Sequence, residues 1–126
     1  MPSHRSIGHG LATTLAVLVG TFALSSAALA HVFPKKQEPG AGATVSSPAQ
    51  VRILFDGPLE PSFTTLSVTD ASGKQVNVEK ASIDPQQPAT VSVALPALVA
   101  GHYIVHWAAV ASDGHRTHGD YSFDVK

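Results

Sequence analysis

The fold is decided by one alternating stretch of the chain, His102-Tyr103-Ile104-Val105-His106-Trp107-Ala108-Ala109. Its odd-numbered residues are aromatic or apolar, and its even-numbered residues include both histidines. Because successive side chains of a β-strand point to opposite faces, a period of two predicts a strand with one buried face. We expect the aromatic residues of that face, Tyr103 and Trp107, to lie in the core, since large aromatic side chains contribute most to burial.

The same alternation recurs outward from this stretch in five further segments. They lie at 51–56, 65–69, 75–79, 91–95 and 121–126, and a seventh strand is expected near 31–38. Asp70-Ala71-Ser72-Gly73 has the composition of a hairpin turn, and no amphipathic helix is visible after residue 30. About seven short strands separated by proline and glycine predict an all-β protein, an immunoglobulin-like or Greek-key sandwich.

Residues 1–30 have the layout of a secretory signal peptide. Arg5 gives a positive start, residues 11–24 are largely apolar, and Ala28-Leu29-Ala30 is an Ala-x-Ala cleavage sequence. The apolar run is shorter than the roughly 20 residues that span a membrane. We therefore expect cleavage after Ala30, no stable membrane insertion afterwards, and a single domain at 31–126.

Composition restricts the chemistry that this domain can perform. The sequence has no cysteine and one methionine, Met1, which leaves with the signal. Removal of Arg5 leaves seven basic against nine acidic residues, a formal charge of −2, and no basic cluster that would indicate nucleic-acid binding. Because no cysteine or methionine remains after cleavage, soft sulfur ligands for a metal ion are excluded. Imidazole, carboxylate and amine groups remain as candidate metal ligands.

His31 becomes the first residue after the expected cleavage. Its free α-amine and its ring Nδ1 could close one chelate ring on a metal ion. Because the pKa of an α-amine is near 8, loss of its proton to a metal costs little at neutral pH. The alternative is chance, since some residue must follow the cleavage site.

A second candidate feature is Asp113-Gly114-His115, which directly follows the strand ending at Val110. Side chains at positions i and i+2 of an extended chain point the same way, so Asp113 and His115 could converge on one point. Gly114 allows the backbone to bend between them, because glycine tolerates positive φ. The alternative is an ordinary Asp-Gly turn with a solvated histidine.

Taken together, these residues supply one amine, two imidazoles and one carboxylate. Such a set suits tetragonal copper(II), with nickel(II) second, whereas zinc prefers a tetrahedral arrangement. His102 and His106 lie about 13 Å apart along one strand and cannot share an ion, so we interpret them as residues of a solvated face. His118 is three residues from His115, so on an extended chain their side chains point to opposite faces, which argues against His118 as a ligand of the same ion.

With these residues the chain resembles the CopC-type periplasmic copper-resistance proteins. The resemblance extends over residues 31–126 and rests on His31 after the signal, on Gly101-His102-Tyr103-Ile104-Val105-His106-Trp107 and on Ser112-Asp113-Gly114-His115. It implies a seven-stranded Greek-key sandwich or barrel, and a copper(II) site formed by the amine and ring of His31, Asp113 and His115. The methionine-rich copper(I) site of some family members has no counterpart here after cleavage.

We therefore expect a periplasmic, non-enzymatic, monomeric copper(II)-binding protein for copper sequestration or delivery. Its expected partners are the copper ion and, as a candidate recipient, an inner-membrane copper transporter. One alternative is a copper-dependent oxygenase with an N-terminal histidine, which needs an open coordination position and an extended substrate surface. Another is an immunoglobulin-like interaction module whose histidines are incidental.

Overall fold

The structure is a computed structural model that describes residues 2–3 and 31–126. All regular secondary structure in the described residues is β-strand. The predicted signal peptide, residues 1–30, lies outside them except for positions 2 and 3. Across the described ranges, no helix has the length and apolar character needed to cross a membrane.

Eight strands form two four-stranded sheets. In chain order they are β1 (Pro34–Glu38), β2 (Thr44–Val45), β3 (Gln50–Phe55), β4 (Thr65–Asp70), β5 (Ser82–Ile83), β6 (Thr90–Ala94), β7 (Gly101–Val110) and β8 (Arg116–Val125). One sheet has the order β1-β3-β6-β5 and the other has the order β2-β8-β7-β4. The all-β sandwich predicted from the alternation is confirmed.

The core lies between the two sheets, where the alternating apolar residues meet. Phe55 of β3 and Phe123 of β8 are almost fully buried. The ring of Phe55 meets Trp107 edge-on at a centroid distance of 5.3 Å, and Tyr103 stacks on Phe123 at 5.7 Å. Trp107 is half-buried and covers Gly119, where a methyl group would lie only 2.7 Å from Cζ2 of the indole. The aromatic side of β7 is therefore the inner side, as its pattern predicts.

The predicted strand at 75–79 is wrong. Only an isolated bridge, Thr69 to Gln75, pairs this segment with β4. Asn77 is buried, and its Oδ1 accepts a hydrogen bond from the Val68 backbone N–H at 2.9 Å, while Val78 is 87% exposed. The amide side chain takes the place of a strand carbonyl along the edge of β4, so the segment leaves the extended path that its alternating valines predict.

Two short strands that were not predicted, together with the loss of the one at 75–79, change the count from seven to eight. β2 pairs in parallel with the end of β8 at one edge of its sheet. β5 pairs with β6 at an edge of the other sheet. Each contains only two residues. A periodic pattern cannot be recognised over two residues, because strands give a readable alternation only over about four or more.

Candidate metal centre

The turn between β7 and β8 places Asp113 and His115 at the end of the longest hairpin of the protein. Gly114 N–H donates to the Ala111 carbonyl at 2.9 Å, and Ala111 N–H donates to the His115 carbonyl at 2.9 Å. Gly114 has a φ of 89°, in the left-handed region that favours glycine. This is a three-residue hairpin loop that closes with a left-handed glycine.

Asp113 holds His115 through a hydrogen bond to its backbone and a close contact with its ring. Its Oδ1 accepts the His115 backbone N–H at 3.0 Å, and its Oδ2 lies 2.9 Å from the ring Nδ1. The backbone N–H, and after it the ring, hold the pKa of the Asp113 carboxyl below its usual value. An ionised carboxylate only accepts, so in this contact the ring Nδ1 of His115 donates.

Asp113 and His115 come together for a reason different from the one that the sequence indicates. The alternation of an extended chain predicts them as neighbours on one face, but Asp113 lies within the turn. The side chain of Asp113 closes back on the backbone two residues later, which is the ordinary behaviour of aspartate in turns.

His31 is positioned by the two residues that follow it. Val32 is buried, and its carbonyl accepts the Thr117 hydroxyl at 2.7 Å. Phe33 and Asp56 are joined by two hydrogen bonds, Phe33 N–H to Asp56 Oδ1 at 2.9 Å and Asp56 N–H to the Phe33 carbonyl at 3.0 Å. The chain directly after His31 is therefore fixed to β8 on one side and to the end of β3 on the other.

These anchors place the ring of His31 beside that of His115. The ring centroids are 5.6 Å apart, with an angle of 62° between the ring planes. Two imidazoles on one ion have ring centres roughly 4.5 to 6.5 Å apart, given metal–nitrogen bonds of about 2 Å. The predicted residues His31, Asp113 and His115 thus lie beside one another at one end of the sandwich, and the distance between the two ring centres falls within that range.

The other three histidines of residues 31–126 lie on the outer face of the β2-β8-β7-β4 sheet. His102 Nδ1 is 2.7 Å from Asp124 Oδ1, and His106 Nδ1 is 2.6 Å from Asp120 Oδ1. His118 is exposed on the same face of β8. Within residues 31–126, no group of three or more histidine, aspartate or glutamate side chains stands in metal-binding arrangement as the side chains are oriented.

The residues that position the site are not among those predicted from the sequence. Thr117 and Asp56 hold the chain after His31, at separations of 85 and 23 positions. No local pattern relates residues so far apart. The only available signal for Thr117 is its inward strand parity, which places a polar residue on a core-facing position.

Residues 34–126 match the family model described as the CopC domain. The chain belongs to the CopC family. The matched range contains Asp113 and His115, and His31 lies three residues before it. The family resemblance predicted from the sequence is confirmed.

Several proteins similar to this CopC-family chain have names that refer to copper. Copper resistance protein C of Xanthomonas campestris pv. juglandis is 32% identical over 122 residues, covering 92% of this chain and 95% of that protein. Copper transport protein CutJ of Bacillus subtilis is 32% identical over 104 residues, which cover 81% of this chain but only 19% of CutJ. The crystal structure of CopC from Methylosinus trichosporium OB3b has a TM-score of 0.72 and 35% identity, covering 76% of this chain and 94% of that one.

Proposed function

We propose that this CopC-family chain is a periplasmic protein that binds one copper(II) ion and sequesters it or hands it over. The ligands are the α-amine and ring Nδ1 of His31, a ring nitrogen of His115 and a carboxylate oxygen of Asp113. The observation that supports this most directly is the 5.6 Å distance between the two imidazole rings. His31 and His115 lie far apart in the sequence, and the fold alone brings them together.

The chemistry of this ligand set favours copper(II). Three nitrogens and one carboxylate oxygen suit a tetragonal ion, and copper(II) binds such donors most tightly among the first-row divalent ions. Asp113 is ionised at neutral pH, as a ligand must be, and the hydrogen bond from the His115 backbone lowers its pKa further. The names of the relatives, copper resistance protein C and copper transport protein CutJ, agree with copper as the cargo.

The proposal depends on export and processing. A free amine at His31 requires cleavage after Ala30, which the signal-like sequence of residues 1–30 predicts. Cleavage also removes Met1 and leaves a mature chain without sulfur, so copper(I) has no soft ligand there. A monomer with four ligands around the ion binds and releases it without catalysis, and an inner-membrane copper transporter is the candidate recipient.

The decisive experiment changes only the residue that precedes His31. We compare a chain that begins at His31 with one that carries a single extra alanine before it, and measure copper(II) affinity by competition with a chelator. We expect the extra residue to weaken binding by more than about 100-fold, since even outer-shell losses cost about 10–100-fold. The matched control, His102→Ala, removes a histidine elsewhere and should keep full affinity. Equal affinity with and without the extra residue would exclude the amine as a ligand.

A further inference from the structure

The outer face of the β2-β8-β7-β4 sheet carries three histidines and two aspartates that the proposed copper centre does not use. We propose that three of these residues, His106, His118 and Asp120, form a second and weaker site for a divalent transition ion. Copper(II) is the preferred ion, because it binds nitrogen and oxygen donors most tightly in the first-row series. This site is independent of His31 and of the turn that holds His115.

The strand register places the three residues on one small triangle. His118 and Asp120 are two residues apart on β8, and Asp120 is paired directly with His106 on β7. Directly opposed side chains have Cβ atoms about 5 Å apart, and residues i and i+2 of a strand are about 6.5 to 7 Å apart. Ala108 is opposite His118, and its single methyl group leaves room above the sheet for an imidazole to turn.

One edge of the proposed coordination sphere is already formed. His106 Nδ1 and Asp120 Oδ1 are 2.6 Å apart. Neighbouring ligand atoms around a transition ion are about 2.9 to 3.3 Å apart, given bonds of about 2.0 to 2.1 Å. An ion can therefore replace the proton that these two atoms share, with a movement of only a few tenths of an ångström.

Thr69 of β4 supports the ring of His106 from the other side. Its Oγ1 is 2.9 Å from His106 Nε2. A histidine that binds a metal through one nitrogen almost always donates its other ring N–H to a fixed acceptor. A threonine hydroxyl can accept that hydrogen bond. With Nδ1 on the ion, His106 would donate from Nε2 to Thr69, so its orientation is prepared in advance.

His118 completes the site by rotation of an exposed side chain. Exposed rotamers exchange within nanoseconds, so access is fast, but the ordering of His118 costs affinity. This cost is the reason that we expect weaker binding here than at the centre formed by His31.

His102 and Asp124 provide the internal comparison. They form a similar pair at 2.7 Å, but their neighbours on this face are Ile104 and Ser122, with no second imidazole in reach.

The test uses the double variant His31→Ala/His115→Ala, in which the proposed first centre is absent. Copper(II) chloride is titrated into this protein and binding is followed by EPR. We expect one equivalent with nitrogen splitting at micromolar copper(II), displaced by excess zinc(II). Adding His118→Ala should weaken binding at least tenfold, as should adding His106→Ala. Adding His102→Ala should leave it unchanged.

Several outcomes would overturn the second site. They are binding only at millimolar copper(II), no effect of His118→Ala, or equal weakening by His102→Ala. A residue-specific check is the copper(II)-induced broadening of backbone amide signals, which should affect Asp120 and spare Asp124. Circular dichroism confirms that each variant is folded. Every variant in this test lacks the first centre. A negative result would therefore not contradict the proposed His31 centre, and a negative result of the His31 experiment would not contradict the second site.

Discussion

The hydroxyl of Thr117 donates a hydrogen bond of 2.7 Å to the carbonyl oxygen of Val32, across a separation of 85 positions in the chain. Thr117 is the second residue of β8, two positions after His115, and Val32 directly follows His31. This one contact therefore connects the two parts of the proposed copper centre. It holds the chain next to His31 against the strand that follows His115, whose ring centre is 5.6 Å from that of His31.

We expect Thr117→Val to weaken copper(II) binding while the protein remains folded. The substitution keeps the shape of the side chain but leaves the Val32 carbonyl without its partner, which costs about 1–3 kcal/mol of unfolding free energy for a buried group. Urea unfolding and chelator competition measure the two effects. Thr117→Ser retains the hydroxyl and should retain most of the affinity. Undiminished binding by the valine variant would show that the link does not position His31.

Asp113→Asn tests the carboxylate of the centre. The substitution removes the charge and one of the two acceptor atoms that hold His115, so we expect copper(II) affinity to fall by at least about tenfold. Competition titration at neutral pH measures the effect. Asp124→Asn is the matched control, because Asp124 forms a comparable pair with His102 away from the centre. Equal losses in both variants would point to a general charge effect and contradict a local role.

The two tyrosines should respond in opposite directions to loss of their hydroxyl groups. The buried hydroxyl of Tyr121 has no hydrogen-bond partner within the described residues, and burial raises its pKa. Tyr103 donates to the Val99 carbonyl at 2.6 Å. We expect Tyr121→Phe to stabilise the protein by about 1 kcal/mol and Tyr103→Phe to destabilise it by a similar amount. Thermal unfolding of the two variants measures these opposite changes in stability. A Tyr121→Phe variant less stable than the wild type would contradict the expectation for Tyr121.

Asp70 should make stability depend on pH in the acid range. Hydrogen bonds from the Ser72 hydroxyl, and next from the Lys74 backbone, hold the pKa of its carboxyl below the usual value. Since the folded pKa is the lower one, this stabilisation is present above about pH 4 and is lost as the pH falls through the folded pKa. We expect the stability advantage of the wild type over Asp70→Asn to shrink between pH 5 and pH 2 in urea titrations. A constant difference would contradict the assignment.

The sequence predicts the features of this protein that local periodicity can encode. Tyr103 and Val105 are buried where the alternation places them, and the sandwich follows from that pattern. Alternation also predicts a strand at 75–79, which is wrong because the amide of Asn77 bonds the edge of β4 in place of backbone. A pattern of apolar residues contains no information about a side chain that imitates the main chain.

The candidate site also has one part that nearby residues determine and another that depends on contacts between distant residues. The closeness of Asp113 and His115 is a local property and is predicted, although a turn and not an extended strand produces it. The pairing of His106 with Asp120, and of His102 with Asp124, depends on the register between β7 and β8, which the sequence does not specify. Long-range hydrogen bonds such as that of Thr117 are outside the reach of any local rule.

The contact between Trp107 and Gly119 provides this protein with an optical probe of its own. The chain has one tryptophan, and its indole is in contact with Phe55 of the opposite sheet, with only a glycine backbone beneath it. Its ultraviolet emission therefore reports the separation of the two sheets without any attached dye. Gly119→Ala would push the ring outward toward water and shift its emission to longer wavelength. A change in the spacing between the sheets is therefore measurable by tryptophan fluorescence.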